Sequence, residues 1–324
     1  MIKLNTKTKN LYFVFKNIFF NLAIFFVILI IIFSLINILI EPQIKKNISV
    51  YQQIPTNFST RISIFFTNLF TFNSGKIYSY ELSSSEPNIL NLYLQQFKWT
   101  LLFTFLIFIF SFLLGNILGI YSAYKLNKIY DWVVSILISF LAALPILIVG
   151  VLSLVSSTFI GYPSQFIANN KLSYISLIVP ILICSFPTIA IFFSKARKIT
   201  FETLNSNYYL FSKTLGINDF RLLNKIIIKD IILGQLNLFF TIYIFLFTSS
   251  LLIERIFSIP GQSILISFAF QKGEIDIIMF YFTFNFILLS FLLFINHLIL
   301  LKLNPSLKQN IIYFSFKKRK EINV

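Results

Sequence analysis

Between Ile18 and Ile40 there are 23 residues and not one charge. A helix of that length matches the hydrocarbon core of a bilayer, about 30 Å thick. The pattern recurs. Apolar runs cover about 100–123, 132–159, 172–193, 231–253 and 277–301. In lipid every backbone N–H and C=O must find its partner inside the protein, so each run is expected to be a helix. The fold class expected is therefore an all-α polytopic membrane protein with six transmembrane helices. Composition agrees: 57% of residues are hydrophobic and the mean hydropathy is +0.84, more apolar surface than a soluble chain could bury. A cleaved signal peptide would carry an apolar stretch of about 7–15 residues followed by a small-residue cleavage site. The first run is longer and leads into Glu41-Pro42-Gln43, so it is read as a retained span.

Charge then sets orientation. The chain holds 27 Lys and Arg against 11 Asp and Glu, a formal net charge of +16. In a soluble protein that excess would suggest nucleic acid as a partner. Here the basic residues flank apolar runs, and topology is the better explanation. Residues 1–17, the 124–131 loop, the 195–230 segment and the residues from Lys302 onward hold 19 of the 27, over fewer residues than the remaining loops. The positive-inside rule makes these cytoplasmic, with both termini inside and the long 41–99 segment extracytoplasmic. The basic tail occupies 307–324. A loop of 59 residues at 41–99 is expected to carry some structure of its own.

The 195–230 segment is a basic interlude in an apolar chain. Leu204, Tyr208, Phe211 and Leu215 fall on one helical stripe, and Phe220, Leu223, Ile227 and Ile231 on another. Gly216 between them suits the left-handed position that ends a helix. Asn218 or Asp219 can cap the next. The segment is thus expected to be a helix–turn–helix hairpin whose stripes need covering. Elsewhere Gly115 and Gly119 form a GxxxG pair that lets helices approach closely. Pro145, Pro180 and Pro187 are expected to bend or open their runs. Gln235, Asn237, Thr241, Thr248, Ser249 and Ser250 in the fifth run should face protein or water.

Several chemistries find no residues to carry them. There is no GxxxxGK[ST] loop for a nucleotide phosphate and no Cys/His cluster or HExxH for zinc. Cys184 is the single cysteine and His297 the single histidine, so neither an intrachain disulfide nor a catalytic triad within the chain is expected. Cofactor, metal and catalytic residues are all expected to be none.

The motifs, taken in order, resemble those of a family. Tyr208, Tyr209, Phe211, Ser212, Lys213, Thr214, Leu215, Gly216, Asn218 and Asp219 resemble the cytoplasmic coupling loop of peptide-type ABC importer permeases, with Phe211, Ser212 and Thr214 where that family carries alanines. Arg221 to Lys225 and Lys229-Asp230 resemble the stretch that follows it. Glu254, Phe257, Pro260 and Gly261, within Glu254-Arg255-Ile256-Phe257-Ser258-Ile259-Pro260-Gly261-Gln262, are similar to the family's extracytoplasmic ExxFSxPG string. Gly115 to Asp131, Ala143-Leu144-Pro145 and Asn304-Pro305-Ser306 match further family segments, so the resemblance spans about 100–306. It implies the type I importer fold. It also implies a non-catalytic subunit in the cell membrane that forms a pathway for peptides. Its partners would be a second homologous permease, two ATP-binding cassette subunits that use ATP and Mg, and an extracytoplasmic substrate-binding lipoprotein. Nickel or another small solute is the alternative cargo. An ion-coupled secondary transporter is a rival reading, but it would want buried acids in mid-span, and these runs have almost none.

Overall fold

The structure is a computed structural model. It describes residues 6–84, 86–168 and 172–303, with side chains from residue 24 onward except 297 and 300–303. Asn169 to Lys171, the Asn304-Pro305-Ser306 string, the tail 307–324 and the side chain of His297 lie outside the described residues.

The described residues are almost wholly helical. In chain order the helices are α1 (Thr6–Lys46), α2 (Ile48–Tyr51), α3 (Phe58–Phe70), α4 (Tyr80–Ser83), α5 (Ile89–Tyr124), α6 (Ile129–Ala143), α7 (Ile146–Ile160), α8 (Leu172–Ser176), α9 (Ile178–Leu204), α10 (Asn207–Thr214), α11 (Asp219–Leu222), α12 (Ile228–Ile256), α13 (Gln262–Lys272) and α14 (Ile275–Leu303). Five stretches, within α1, α5, α9, α11–α12 and α14, are long and apolar enough to cross a membrane, and α6 with α7 makes a sixth if that bent pair is one span. The chain is a multi-pass all-α membrane protein.

The third apolar run differs from a straight helix. It is two helices bent by 92° where Leu144 meets Pro145. Proline disfavours helical backbone in the residue before it, and Leu144 is extended (φ −68°, ψ 129°). Pro180 behaves otherwise, because it sits in the first turn of α9, where a missing N–H breaks no helical bond. Pro187 lies inside α9 and does remove one.

The chain divides into two compact units, one of residues up to Leu94 with Leu265–Phe286, the other of Gln95–Ile264 with the residues from Ile287. In the first, the 41–99 segment is ordered around two carboxylates. Glu274 accepts the backbone N–H groups of Tyr78 (3.0 Å) and Ser79, and Asp276 accepts that of Lys76 (2.9 Å) and the Tyr78 hydroxyl (3.2 Å). Burial, then the neighbouring Asp276 carboxylate, push the Tyr78 phenol well above its ordinary pKa. Gly75, at φ +93°, lies so close to Asp276 that a side chain there would collide with it. Arg61 reaches Glu41 at 2.8 Å and Asn37 at 3.3 Å, tying α3 to α1.

In the second unit a core of Phe103, Ile107, Phe192, Ile242, Leu246, Ile253 and Phe257 joins α5, α9 and α12. The two GxxxG glycines make the α5–α9 approach possible. A Cβ on Gly115 would stand 2.6 Å from that of Phe192, and one on Gly119 2.7 Å from that of Ala196 and from the Phe193 carbonyl. Ser111 and Thr188 share a hydrogen bond of 2.6 Å across the same seam. Of the polar residues in the fifth run, Gln235 donates to Asn116 at 2.6 Å and Ser250 is buried, while Asn237, Thr241 and Thr248 are exposed along one side of α12.

Candidate functional site: a hairpin and a clasp

The 195–230 segment is folded differently from two short helices between spans. No glycine or proline interrupts the sequence from Thr188 to Leu204, so α9 runs on as one helix to Leu204. Nor is there one between Asp219 and Leu233, so α11 passes through a π-helical turn at Leu223–Ile227 straight into α12. The separate element is α10, eight residues long. Ser206 caps it, accepting from the Tyr209 N–H at 3.4 Å. Gly216 follows it with φ +74° and nothing within 4 Å of where a Cβ would sit, the left-handed exit expected. Asn218 caps α11, accepting from the Phe220 N–H at 3.3 Å. Asp219 opens that helix and is exposed.

The expected coupling residues divide into two sets. Tyr209 is buried with Ala196, Leu222, Ile227 and Ile231, so it anchors α10 from beneath. Tyr208, Phe211 and Leu215 lie outward, with half to two thirds of their surface exposed, and Lys213 and Thr214 are exposed beside them. Ser212 and Thr214 turn their hydroxyls back onto the helix carbonyls of Tyr208 (2.8 Å) and Phe211 (2.7 Å). Of the expected stripe, Tyr208, Phe211 and Leu215 lie uncovered on a helix that is itself held down, whereas Leu204 ends α9 and packs against the buried cluster. In the second stripe Ile227 and Ile231 are buried, Phe220 is exposed, and Leu222 takes the buried place beside them.

Two acids hold the frame. Asp230 accepts from the hydroxyls of Tyr208 and, at 3.0 Å, Thr203, which joins α12 to α10 and to the end of α9. Asp131 receives a two-pronged bond from Arg197 (2.9 and 2.7 Å), the Asn127 N–H (3.1 Å) and the Ser122 hydroxyl. It fastens the start of α6 and the end of α5 to α9. Sequence reading misses both. Arg197 is 66 residues from Asp131 and Asp230 22 from Tyr208, and no local periodicity pairs them. Ser206 was findable: a serine just before a helix with free N–H groups is the commonest kind of cap. A cavity of about 610 Å³ lies nearby, lined by Ala142, Pro187, Ser194, Lys195, Lys198 and Leu238 among others.

At the other end of α12 the Glu254–Gln262 string forms a closed clasp. Glu254 is wholly buried. Its backbone carbonyl accepts the Ile259 N–H at 2.9 Å, and its carboxylate accepts the Ser263 N–H at 3.2 Å in the first turn of α13, where negative charge is favoured. The Thr100 hydroxyl bonds the same carboxylate while accepting the Gln262 N–H at 2.9 Å. Phe257 and Ile259 are buried in the core, and Phe257 accepts the Phe166 N–H at 2.9 Å. Pro260 presets the tight turn in which the Gly261 N–H reaches the Ile259 carbonyl at 2.7 Å. A Cβ on Gly261 would run into Glu254 and Thr100. The four motif residues thus serve one local structure. Among the described residues no group of three or more His, Cys, Asp or Glu could hold a metal ion.

Comparison with known proteins bears on what such a chain does. Residues 115–309 match the family described as the binding-protein-dependent transport system inner membrane component. The dipeptide transport system permease protein DppB of Lactococcus lactis subsp. cremoris is 26% identical over 199 residues, covering 61% of this chain and 63% of that protein. The oligopeptide transport system permease protein OppB of Mycoplasma genitalium is 24% identical over 187 residues, covering 55% of this chain and 46% of its own length. The matched stretch thus spans from about half to just under two thirds of these relatives. A chain of the MetNI methionine ABC transporter, solved in inward-facing conformations, superimposes with a TM-score of 0.51 at 15% identity, over 66% of this chain and 97% of that one. At that identity the likeness concerns the fold.

Proposed function

The chain belongs to the binding-protein-dependent transport system inner membrane component family, and on that premise we propose that it is the membrane-spanning subunit of an ATP-driven peptide importer. It would pair with a second, homologous permease to form the pathway. Two ATP-binding cassette subunits would hydrolyse ATP on the cytoplasmic side, and a lipoprotein would deliver substrate on the other. The distribution of Lys and Arg supports cytoplasmic termini and a cytoplasmic hairpin.

One observation carries the coupling role: a short helix whose apolar stripe is uncovered while its underside is fastened. Tyr208, Phe211 and Leu215 offer the surface a partner groove would take. Tyr209, Asp230 and Thr203 make α10 move with α9 and α12 rather than swing on a loop. Closure of the ATPase pair would then be transmitted to two spans at once. The cavity bordered by Pro187, Lys195 and Leu238 suits a vestibule at the same end.

Peptides are favoured over nickel or another small solute because the named relatives are dipeptide and oligopeptide permeases. An ion-coupled mechanism is disfavoured on chemistry. The wholly buried Glu254 is spent on Ser263 and Thr100, and Asp131 on Arg197. The test is reconstitution of the chain with its permease, ATPase and lipoprotein partners in proteoliposomes. ATP-dependent uptake of a di- to pentapeptide library supports the reading. Uptake of nickel alone, or peptide uptake that follows an ion gradient without ATP, would replace it.

A further inference from the structure

The charge pattern makes the 41–99 segment extracytoplasmic, yet in the first unit part of it packs along the first span. Helix α3 runs antiparallel alongside α1. Near its start Arg61 pairs with Glu41 and Asn37 at the outer end of the first span. The rings of Phe58, the first residue of α3, and Phe65, two turns later, stand 5.9 and 5.2 Å from Phe33. At its far end Phe70 stacks 5.9 Å from Phe26. At 1.5 Å per residue, Phe33 is about 10 Å and Phe26 about 21 Å along α1 from Ile40, inside an uncharged run that itself fills the hydrocarbon core. Helix α3 therefore reaches past the middle of the first span.

The sequence of the segment fits that depth. From Ile62 to Gly75 there is no charged residue. The flanking charges are Arg61, paired at the shallow end, and Lys76, whose backbone is brought back to Asp276. Three backbone N–H groups at the deep end bond within the segment, as hydrocarbon favours. The Thr67, Asn68 and Leu69 carbonyls accept from the N–H groups of Thr71 (2.9 Å), Asn73 (2.8 Å) and Phe72 (3.4 Å). The hydroxyls of Thr67 and Thr71 turn back to the carbonyls of Ser63 and Thr67, each at 2.8 Å. Ile64, Phe70 and Phe72 are nevertheless exposed, Phe72 almost completely (98%) and Phe70 over the surface that Phe26 leaves open. Val27 and Ile31 of α1 are exposed as well.

We propose that residues 58–75 form a re-entrant hairpin that dips into the bilayer beside the first span and surfaces again at Lys76, with lipid acyl chains covering Ile64, Phe70 and Phe72. The part of 41–99 free to meet a partner in water is then the remainder, the stretch fixed to Glu274 and Asp276 included.

The test uses full-length protein in membranes, with Cys184→Ala removing the one native thiol and single cysteines at Thr67, Phe70 and Phe72. Ser84→Cys, on an exposed turn, is the reference. A membrane-impermeant maleimide should label the three sites at least about tenfold more slowly than the reference, and all four equally after denaturation in SDS, as depth in hydrocarbon requires. A nitroxide at position 70 should relax strongly with oxygen and weakly with a water-soluble nickel chelate. Fast maleimide labelling, or strong relaxation by nickel, places the segment in water and overturns the proposal. Weak relaxation by both reagents means that protein, not lipid, covers it, and overturns it too. Thr67→Cys is a conservative change at an exposed site, so its reading does not depend on the aromatic variants folding.

Discussion

Gly216 and Gly261 both end a motif, and they are glycines for different reasons. Gly216 sits at φ +74° with open space around it. What a side chain would upset there is the backbone. Gly261 has no positive φ but is walled in by Glu254 and Thr100. What a side chain would upset there is packing and a buried carboxylate. The hairpin glycine thus lies at the surface, a shaped exit from a helix whose apolar stripe is bare. The clasp glycine lies in the interior, in a turn that fixes the entry to α13. Mutations at the two ends should differ in kind: loss of the folded protein at the clasp, loss of coupling at the hairpin.

The largest effect is expected from Gly261→Val. Two new methyl groups must displace Glu254 or Thr100 inside a packed site, about 3 kcal/mol or more. The measurable outcome is a sharp fall in monodisperse protein after solubilisation, with uptake lost in proportion. Normal recovery of Gly261→Val protein would mean that the contact of Gly261 with Glu254 and Thr100 does not hold the clasp together.

Glu254→Ala should come next. It leaves the Ser263 N–H and the Thr100 hydroxyl without their acceptor in a site closed to water, about 1–3 kcal/mol. Glu254→Gln keeps one acceptor oxygen and should lie between Ala and the native protein in thermal unfolding. Equal destabilisation by both variants would mean that the charge, and not the hydrogen-bond geometry, holds the loop.

Gly216→Val reverses the pattern. Left-handed backbone costs a residue with a Cβ about 1–2 kcal/mol, and a β-branched one most of all. The strain is confined to a turn with nothing packed on it. Insertion and thermal stability should stay near native while ATP-dependent uptake falls severalfold. Gly216→Asn, which tolerates that region best among non-glycine residues, should recover most of the uptake. Native uptake by Gly216→Val would break the distinction between the two ends.

How much of this could be read beforehand follows the range of each interaction. The apolar runs, Gly216 and the GxxxG seam are local patterns, and the sequence carries them in full. The 92° bend at Pro145 was legible as a bend but not as a right angle, because its size depends on what α6 and α7 pack against. The separate hairpin helix is shorter than the basic 195–230 segment, because charge alone does not mark a loop. Lys195, Arg197 and Lys198 in fact ride on a continuous α9, since helices tolerate basic residues freely once they leave the bilayer. The Asp131–Arg197 and Tyr208–Asp230 bonds join residues from different helices, and no window along the chain contains the information. The exposed Tyr208–Phe211–Leu215 stripe was legible as apolar, but only the fold shows that this chain leaves it bare.

The smallest expected effect is also the most specific to the lever. Tyr208→Phe keeps the ring in the exposed stripe and removes only its hydroxyl bond to Asp230, about 0.5–1.5 kcal/mol. Asp230 still holds the Thr203 hydroxyl at 3.0 Å, so α9 and α12 stay joined and global stability should barely change. What loosens is the attachment of α10 to α12. Amide hydrogen exchange across 207–214 should speed up while that of 190–204 does not. If a stiff attachment is what transmits the ATPase stroke, basal ATP hydrolysis by the assembled complex should persist and the peptide transported per ATP should drop. A Tyr208→Phe protein with faster exchange but native coupling would show that the stripe alone, docked in its partner, supplies the rigidity. The bond to Asp230 would then matter for folding the hairpin rather than for driving it.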